Sequence, residues 1–595
     1  MRRSVRIGGA SGFWGDSSVG APQLVQHGEV DFLVFDYLAE LTMSILAAAR
    51  AKDAALGYAT DFVTVTMKAI LPEVVQRGIR VISNAGGVNP QACAQALRAL
   101  AQQQGLDLRV AVVEGDDALP LLPGLRAAGA VREMQSGAPL PERVLTANAY
   151  LGALPIRAAL DAGAQVVITG RCVDSAVTLG ALMHAFGWAD DDWDRLAQGS
   201  LAGHIIECGC QATGGLHTDW EAVPDWAGIG YPVVDCEADG RFTLSKPPAT
   251  GGLVNCAVVA EQVLYEIHDP RRYLLPDVTC DFSQVQLVQD GADRVRVSGA
   301  RGMPPGPAYK VSATYLDGFR CNAQLTLIGM DAARKAQRTG EAILARTQAL
   351  FAAQGWPGYT RAFVEVLGSE RTYYGPNARG AATREAVLRV AVTHPLKAAL
   401  ELFAREVAPA GTSWSPGTTG ADGRPRVSPS IRQFAFLLDK SALAPLVLLD
   451  GERHPVTIPT GQAEVPAPAP QPQGALAEAP DDAVEVPLVR LAWGRSGDKG
   501  DTSNIGIVAR RPDWLPLLRA QLTPERVRAW LSHLVRGEVL RHELPGLHAF
   551  NFVCGEALDG GGMASLRNDA LGKGMAQVLL EMPVRVPRDW DLGRS

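Results

Sequence analysis

The chain has 595 residues, too many for one hydrophobic core, so two or three domains are expected. Apolar residues make up 47% and charged ones 20%, the balance of a packed globular protein rather than a disordered one. A formal charge of -7 with both signs interspersed offers no basic stripe to a phosphate backbone, and no run reaches the ~20 apolar residues of a membrane helix, which argues against nucleic acid and membrane as partners.

The first residues, MRRSVRIGGASGFWGD, carry two arginines but no apolar signal core, and nine cysteines lie scattered and odd in number. A cytoplasmic protein with reduced thiols is expected. In chain order, SVRI runs into a glycine turn, VDFLVFD precedes a helix through LTMSILAAARAKDAAL, and RVISNAGG precedes a helix from Pro90. LRVAVVEGDD follows, and QVVITGR leads into a helix from Asp174. Strand, turn and helix in repeated order predict a parallel sheet with crossover helices, and strands apolar throughout predict that both faces are covered.

Ligands of such sheets sit beyond the carboxyl ends of the strands. Those ends carry Asp36, then Ser83, Asn84, Gly86 and Gly87, then Glu114 and Asp116, then Thr169, Gly170, Arg171 and Asp174. From about Tyr231 the pattern changes to a proline-rich turn, a helix holding EQVLYEIHDP, and β-like runs RVRVSGAR, YKVSATYL and AQLTLIGM, which predict an α+β lobe with a boundary near 230. The Pro/Ala-rich run over 461–483 reads as an extended linker between a large part, 1–460, and a small module, 484–590. The module, with two β-like runs about a glycine turn, a helix from Pro524 and FNFVCGEALDGGGMASL, reads as a small α/β sandwich.

Five stretches could carry chemistry. In the turn Gly8–Asp16, Gly12 and Asp16 could receive an anion, although the spacing is not GxGxxG and a tight turn over Trp14 is the plain alternative. In Ile168–Asp174, Arg171 suits a carboxylate or phosphate, and Asp174 is either a helix cap or a base. Gly203–Gly215 crowds His204, Glu207, Cys208 and Cys210 before His217. No zinc pattern fits that spacing, so no metal site is predicted and a metal requirement stays open. Glu207 or His204 is a candidate acid or base beside the Gly214–Gly215 amides, with a constrained loop of buried cysteines as the alternative. Lys246–Gly252 repeats the Ala-Thr-Gly-Gly of 212–215, so Gly251 and Gly252 could oppose that turn across an anion, although four residues are short enough to recur by chance. Finally, Arg495, Ser496 and Lys499 in RSGDKGDTSN make either an anion cradle or a salt-bridged turn.

Taken together, GGASGFWGD, FDYLAELTM, SNAGGVNP, ITGRCVDSA, ECGCQATGG, PPATGGLV with EQVLYEIHDP, and RSGDKGDTSN with GGGMASLRNDALGK resemble the acyclic terpene utilisation protein AtuA family, long catalogued as a domain of unknown function. The resemblance covers nearly the whole chain, and it implies a ferredoxin-like fold for the C-terminal module. Cys210 stands where the family pattern suggests a small residue such as alanine.

The family's link with citronellol and geraniol catabolism implies a branched acyl-CoA or related carboxylic acid as ligand, with coenzyme A entering as part of a substrate and no cofactor predicted. The expected enzyme is a lyase or hydro-lyase, with Asp174, His204 and Glu207 as candidate acid–base groups. A non-catalytic scaffold for enzymes of the same pathway is the alternative, and an NAD-dependent oxidoreductase a third. A second copy of the chain or a pathway enzyme as protein partner stays open.

Overall fold

A computed structural model describes residues 4–420, 423–468 and 474–592. Five short strands form its parallel centre: β1 (Ser4–Gly9), β2 (Phe32–Phe35), β3 (Arg80–Ser83), β4 (Val110–Glu114) and, beyond β5 (Val144–Ala149), β6 (Val166–Thr169). The order is β1-β2-β3-β6-β4, so β6 slots between its predecessors and the winding reverses there. β2 and β6 are buried at every residue, as a sheet covered on both faces requires. Helix starts follow local chemistry: Asn89 caps the helix Pro90–Gln103 by accepting from Ala92 N, and Asn255 caps Cys256–Val263 by accepting from Val258 N at 2.9 Å.

The change expected near residue 230 does not open a separate lobe. β7 (Val233–Glu237) pairs antiparallel with β1, β8 (Phe242–Ser245) pairs with β7, and Val295–Ser298 and Gln286–Gln289 extend that edge. Leu446–Leu449 and Glu452–Pro455 add to the opposite edge beside β4, giving an eleven-stranded sheet among the described residues. The lobe proper is inserted between these edges.

It begins with one long strand, Ala308–Ile328, which joins the two β-like runs YKVSATYL and AQLTLIGM. Helix Ala332–Ala353, strands Arg361–Leu367 and Glu385–His394, helix Lys397–Glu406 and strand Val427–Asp439 complete a βαββαβ unit. Its first and second strands flank the third in the split βαβ arrangement, and its core includes Ile343, Leu388, Val390 and Phe403. β5 leaves the first domain and pairs with the long strand, tying the two together.

The C-terminal module is an antiparallel sheet in the order Ala492–Lys499, Thr502–Ala509, Ala549–Cys554, Val539–Leu544. Ile505, Ile507, Phe550 and Phe552 of the sheet and Leu579 of the helix Met575–Leu580 lie in one core. The module is docked. Arg510 forks onto Asp219 at 2.7 and 2.6 Å, Trp493 Nε1 donates to Asp219 at 2.6 Å, and the buried Asn504 and Asn551 donate to the carbonyls of Leu264 and Ile267 at 2.7 and 2.9 Å. The expected linker runs along the surface, with Gln462 N donating to Pro305 O and Ala475 O accepting from Arg519; its residues 469–473 lie outside the described residues. No helix of the described residues is long and apolar enough to cross a membrane, and all nine cysteines are free.

Candidate functional site

The carboxyl ends of β2, β3 and β6 bring a polar cluster together. Asp36, one residue beyond β2, accepts from Asn84 Nδ2 at 2.5 Å, and Asn84 Oδ1 accepts from Tyr37 N at 2.7 Å. Burial, and next to it the charge of Asp174, push the Asp36 carboxyl well above the usual range. Two residues past β6, the buried Arg171 donates from Nη1 to Leu38 O at 2.7 Å and to Asp174 Oδ1 at 3.0 Å. Its guanidinium lies 4.2 Å over the ring of Tyr150, whose hydroxyl donates to Glu40. Burial alone would raise the Glu40 carboxyl; Lys310, Arg171 and the Tyr150 hydroxyl outweigh it and hold the pKa at about 2.

Asp116 secures the turn that carries Arg171, accepting from Arg171 N at 2.9 Å and Asn148 Nδ2 at 2.8 Å, yet burial raises its pKa to about 6. A folded-state pKa above the unfolded one means that the unfolded chain loses its proton first, so rising pH weakens the native state across this window. Asp116→Asn has no such titration. From about pH 4 to about pH 7 the stability of the wild type relative to this variant should fall by about 2 kcal/mol, and denaturant unfolding at the two pH values measures it. An unchanged difference would refute it.

Glu207 sits at the carboxyl end of the helix Trp193–Ile206, whose partial negative charge disfavours an ionised carboxyl. It is 11% exposed, and Oε1 lies 3.2 Å from His204 Nδ1, out of hydrogen-bond alignment. Burial raises its pKa above the ordinary value, with His204 pulling the other way. His204 is itself buried against Tyr273 and Phe282, with Nε2 placed 3.3 Å from Val263 O. His204 thus packs behind the Glu207 carboxyl without bonding it. Cys208, set among Glu207, Glu266, Asp36 and Asp174, has its thiol pushed far up, by burial first and then by those charges. A thiolate nucleophile is disfavoured there.

The C-terminal hairpin closes this cleft. Lys499 lies 3.8 Å from Glu266, and Lys573 reaches Glu266 at 2.8 Å, Asp498 at 3.1 Å and the hydroxyl of Tyr265 at 2.5 Å. Desolvation would lower the Lys499 ammonium, but Tyr273, Glu266, Asp174 and Glu207 raise it well above its ordinary value. A fixed positive charge thus stands in the cleft near Glu207, whose proton is held more tightly than usual, while Lys499 and Lys573 hold the Glu266 carboxyl below its ordinary value.

Other expected residues have structural tasks. A Cβ on Gly12 would lie 2.7 Å from the Cys208 carbonyl carbon, so the first glycine turn packs on the backbone just after Glu207. Gly12→Ala should destabilise the protein by about 1–3 kcal/mol, read by denaturant unfolding, because neither backbone can retreat; an unaffected variant would refute the packing argument. Asp16 accepts from Gly12 N, Ser17 N and the Tyr231 hydroxyl. Gly86 and Gly87 allow close approach to Thr169 O and Leu46. The Gly214, Gly215, Gly251 and Gly252 amides all donate to backbone carbonyls, of Cys210, Cys210, Gly228 and Pro224, and the two turns pack on each other. Arg495 bonds Gln211 and Gly215 O and faces the buried Glu261, and Ser496 bonds Gly572 O. Arg495 holds the module against the first domain, and Ser496 ties the module's own hairpin to the start of its last helix.

A cavity of about 270 Å³ beside the glycine turn is lined by Ser11, Asp16, Tyr37, Asp61 and Thr66. A larger groove of about 710 Å³ lies elsewhere, against Arg157, Trp193, Pro304 and Pro459, and contains none of the ionisable groups of the cleft. No group of three or more His, Cys, Asp or Glu able to hold a metal occurs among the described residues.

Glu40, Tyr150, Glu266, Tyr273, Lys310 and Lys573 escaped the sequence reading. Glu266 falls within EQVLYEIHDP, a polar-rich end to an apolar helix, while Tyr150 and Lys310 lie on or just beyond paired strands with no local motif. Residues 5–449 match the acyclic terpene utilisation family protein AtuA, and residues 486–585 match the AtuA ferredoxin-like domain. Comparison with curated proteins and with solved structures finds no match. The chain belongs to the acyclic terpene utilisation AtuA family, with the AtuA ferredoxin-like domain at its C-terminal end.

Proposed function

We propose that this protein is an enzyme of branched acyl-CoA or related carboxylic acid breakdown, working by acid–base lyase or hydro-lyase chemistry. The observation that carries the reading is Glu207, a carboxyl held protonated more readily than usual, set in a cleft with the charged Lys499. Removing a proton next to a thioester carbonyl needs a base of raised pKa and a positive group for the developing enolate oxygen. Glu207 has the first property and Lys499 the second. His204 lies 3.2 Å behind the Glu207 carboxyl, and Asp36, whose carboxyl pKa is also raised, extends the set of proton-carrying groups. The family's name supports acyclic terpenes as the source of the substrate.

The docked C-terminal module favours catalysis over scaffolding, because its Lys499 and Lys573 stand in the cleft. The test is solvent exchange: with a branched acyl-CoA in deuterium oxide, either a simple thioester such as isovaleryl-CoA or one with a second, free carboxylate such as 3-methylglutaryl-CoA, the protein should catalyse deuterium uptake next to the thioester. A panel of such thioesters showing neither uptake nor cleavage nor hydration overturns the proposal.

A further inference from the structure

Three cations from three parts of the chain meet at the cleft. Arg171 follows β6, Lys310 is the third residue of the long strand of the inserted lobe, and Lys499 ends the first strand of the C-terminal hairpin. Along the long strand, Tyr309 and Val311 are buried in the apolar core, and the alternation turns Lys310, Ser312 and Thr314 to the other face. On that polar face Thr314 bonds Ser44 at 2.7 Å, and Ser312 accepts from Gln433 at 3.1 Å. Lys310 Nζ lies 5.0 Å from the centroid of the Tyr150 ring that Arg171 also covers.

Among the described residues Lys310 Nζ has neither a hydrogen-bond nor an ion-pair partner. Glu40, the acid nearest in influence, is already engaged by the Tyr150 hydroxyl and by Gln433 Nε2 at 3.2 Å. Lysines without a counter-ion are ordinary on an open surface, but this one is partly buried in a cleft beside two further cations. The cost is visible in its titration: desolvation first, then Lys499 and Arg171, lower the ammonium despite Glu40. His268 opens onto solvent, and even so desolvation of its ring, followed by Lys499 and Lys310, lowers its pKa to about 4. In both groups desolvation leads and the neighbouring ammonium groups add to it, so an anion bound at Lys310 would stabilise its charged form.

We infer that Lys310, with Arg171 beside it over the same Tyr150 ring, is the binding site for a carboxylate carried by the substrate. This deepens the acid–base reading and rests on it, since it makes the ligand a carboxylic acid, or an acyl-CoA bearing a free carboxylate, rather than a simple thioester. Planar carboxylates suit such a site because the Arg171 guanidinium and the Lys310 ammonium supply several donors beside one aromatic ring. Burial of that pairing away from bulk solvent increases its strength.

The experiment uses the full chain and three probes, 3-methylglutarate, its dimethyl ester and free coenzyme A, with binding measured by calorimetry at low salt. The wild type should bind 3-methylglutarate and not the diester. Lys310→Met should lose about 10- to 100-fold in that affinity, the range for a hydrogen bond to a charged group, while Lys310→Arg keeps most of it. Circular dichroism of Lys310→Met should match the wild type; if that variant is misfolded, protection of Lys310 from acetic anhydride by 3-methylglutarate in the wild type supplies the same readout. Equal affinity in a folded Lys310→Met, no protection, no carboxylate binding by the wild type, or a loss confined to coenzyme A each overturns the inference. Failure of the acid–base reading would show instead as absent deuterium uptake with carboxylate binding intact.

Discussion

Glu207→Gln is expected to lower turnover by roughly 100- to 10,000-fold, the usual contribution of a general acid or base, with the folded structure retained. Glutamine has the same shape, and its amide can donate to His204 Nδ1 where the carboxyl stood 3.2 Å away. The buried carboxyl has a raised pKa, so the native state is favoured while it is protonated and weakens as pH rises through the folded value. The glutamine variant lacks that titration and should be at least as stable as the wild type above neutral pH. If protonated Glu207 is the acid, wild-type turnover falls on the alkaline side as the proton is lost; if the ionised form is the base, the fall is on the acid side. Steady-state rates across pH, beside thermal unfolding, separate these cases. A variant within threefold of the wild type would remove Glu207 from the chemistry.

The second large effect lies far from Glu207. Arg389 and Glu365, on neighbouring strands of the inserted lobe, form a buried pair at 3.0 Å. Around it the loop 556–573 of the C-terminal module is clamped. Arg389 also donates to Leu566 O, Glu365 accepts from Asn568 N at 2.9 Å and from the Tyr373 hydroxyl at 2.8 Å, Arg361 donates to Ala564 O, and Arg320 to Met563 O. The last residue of that loop is Lys573, which enters the cleft.

Arg389→Met leaves the Glu365 carboxylate buried without its cation and should destabilise the protein by about 3–5 kcal/mol. The loss should be greater at neutral than at acid pH, because an unpaired buried carboxyl takes up a proton and its folded pKa rises. Adding Glu365→Gln to Arg389→Met should recover part of the loss, since the uncompensated charge is then gone. Denaturant unfolding of the two single variants and the double variant closes the cycle. A loss under 1 kcal/mol in Arg389→Met would show that the clamp is not held by this pair.

Several parts of this architecture were readable along the chain. Short apolar runs, FLVF in VDFLVFD and VVI in QVVITGR, announced a sheet covered on both faces, and the polar residues just past them marked the carboxyl-end crevice where Asp36, Asn84, Arg171 and Asp174 now meet. The dense stretch Gly203–Gly215 yielded Glu207 and His204 because three residues along a helix place two side chains on one face. RSGDKGDTSN yielded Lys499, although the same stretch sends Arg495 into the docking contact and turns Ser496 onto the module's own backbone. The same reading took the ATGG turns for anion cradles, since no sequence shows that an amide is already bonded to a carbonyl.

What the sequence alone determined was periodicity and turn chemistry: which segments are strands, where the parallel layer runs, that a Pro/Ala stretch precedes a separate C-terminal module, and which family the chain resembles. Only the tertiary structure decided that the lobe after Ala308 is an insertion between two edges of one sheet, that the C-terminal module is docked rather than tethered, and that Lys310, Arg171 and Lys499 face one cleft. The physical reason is distance along the chain. Local pattern fixes backbone conformation, but strand order and domain docking depend on pairings hundreds of residues apart, and the charge that surrounds a buried side chain comes from whichever segments those pairings bring together.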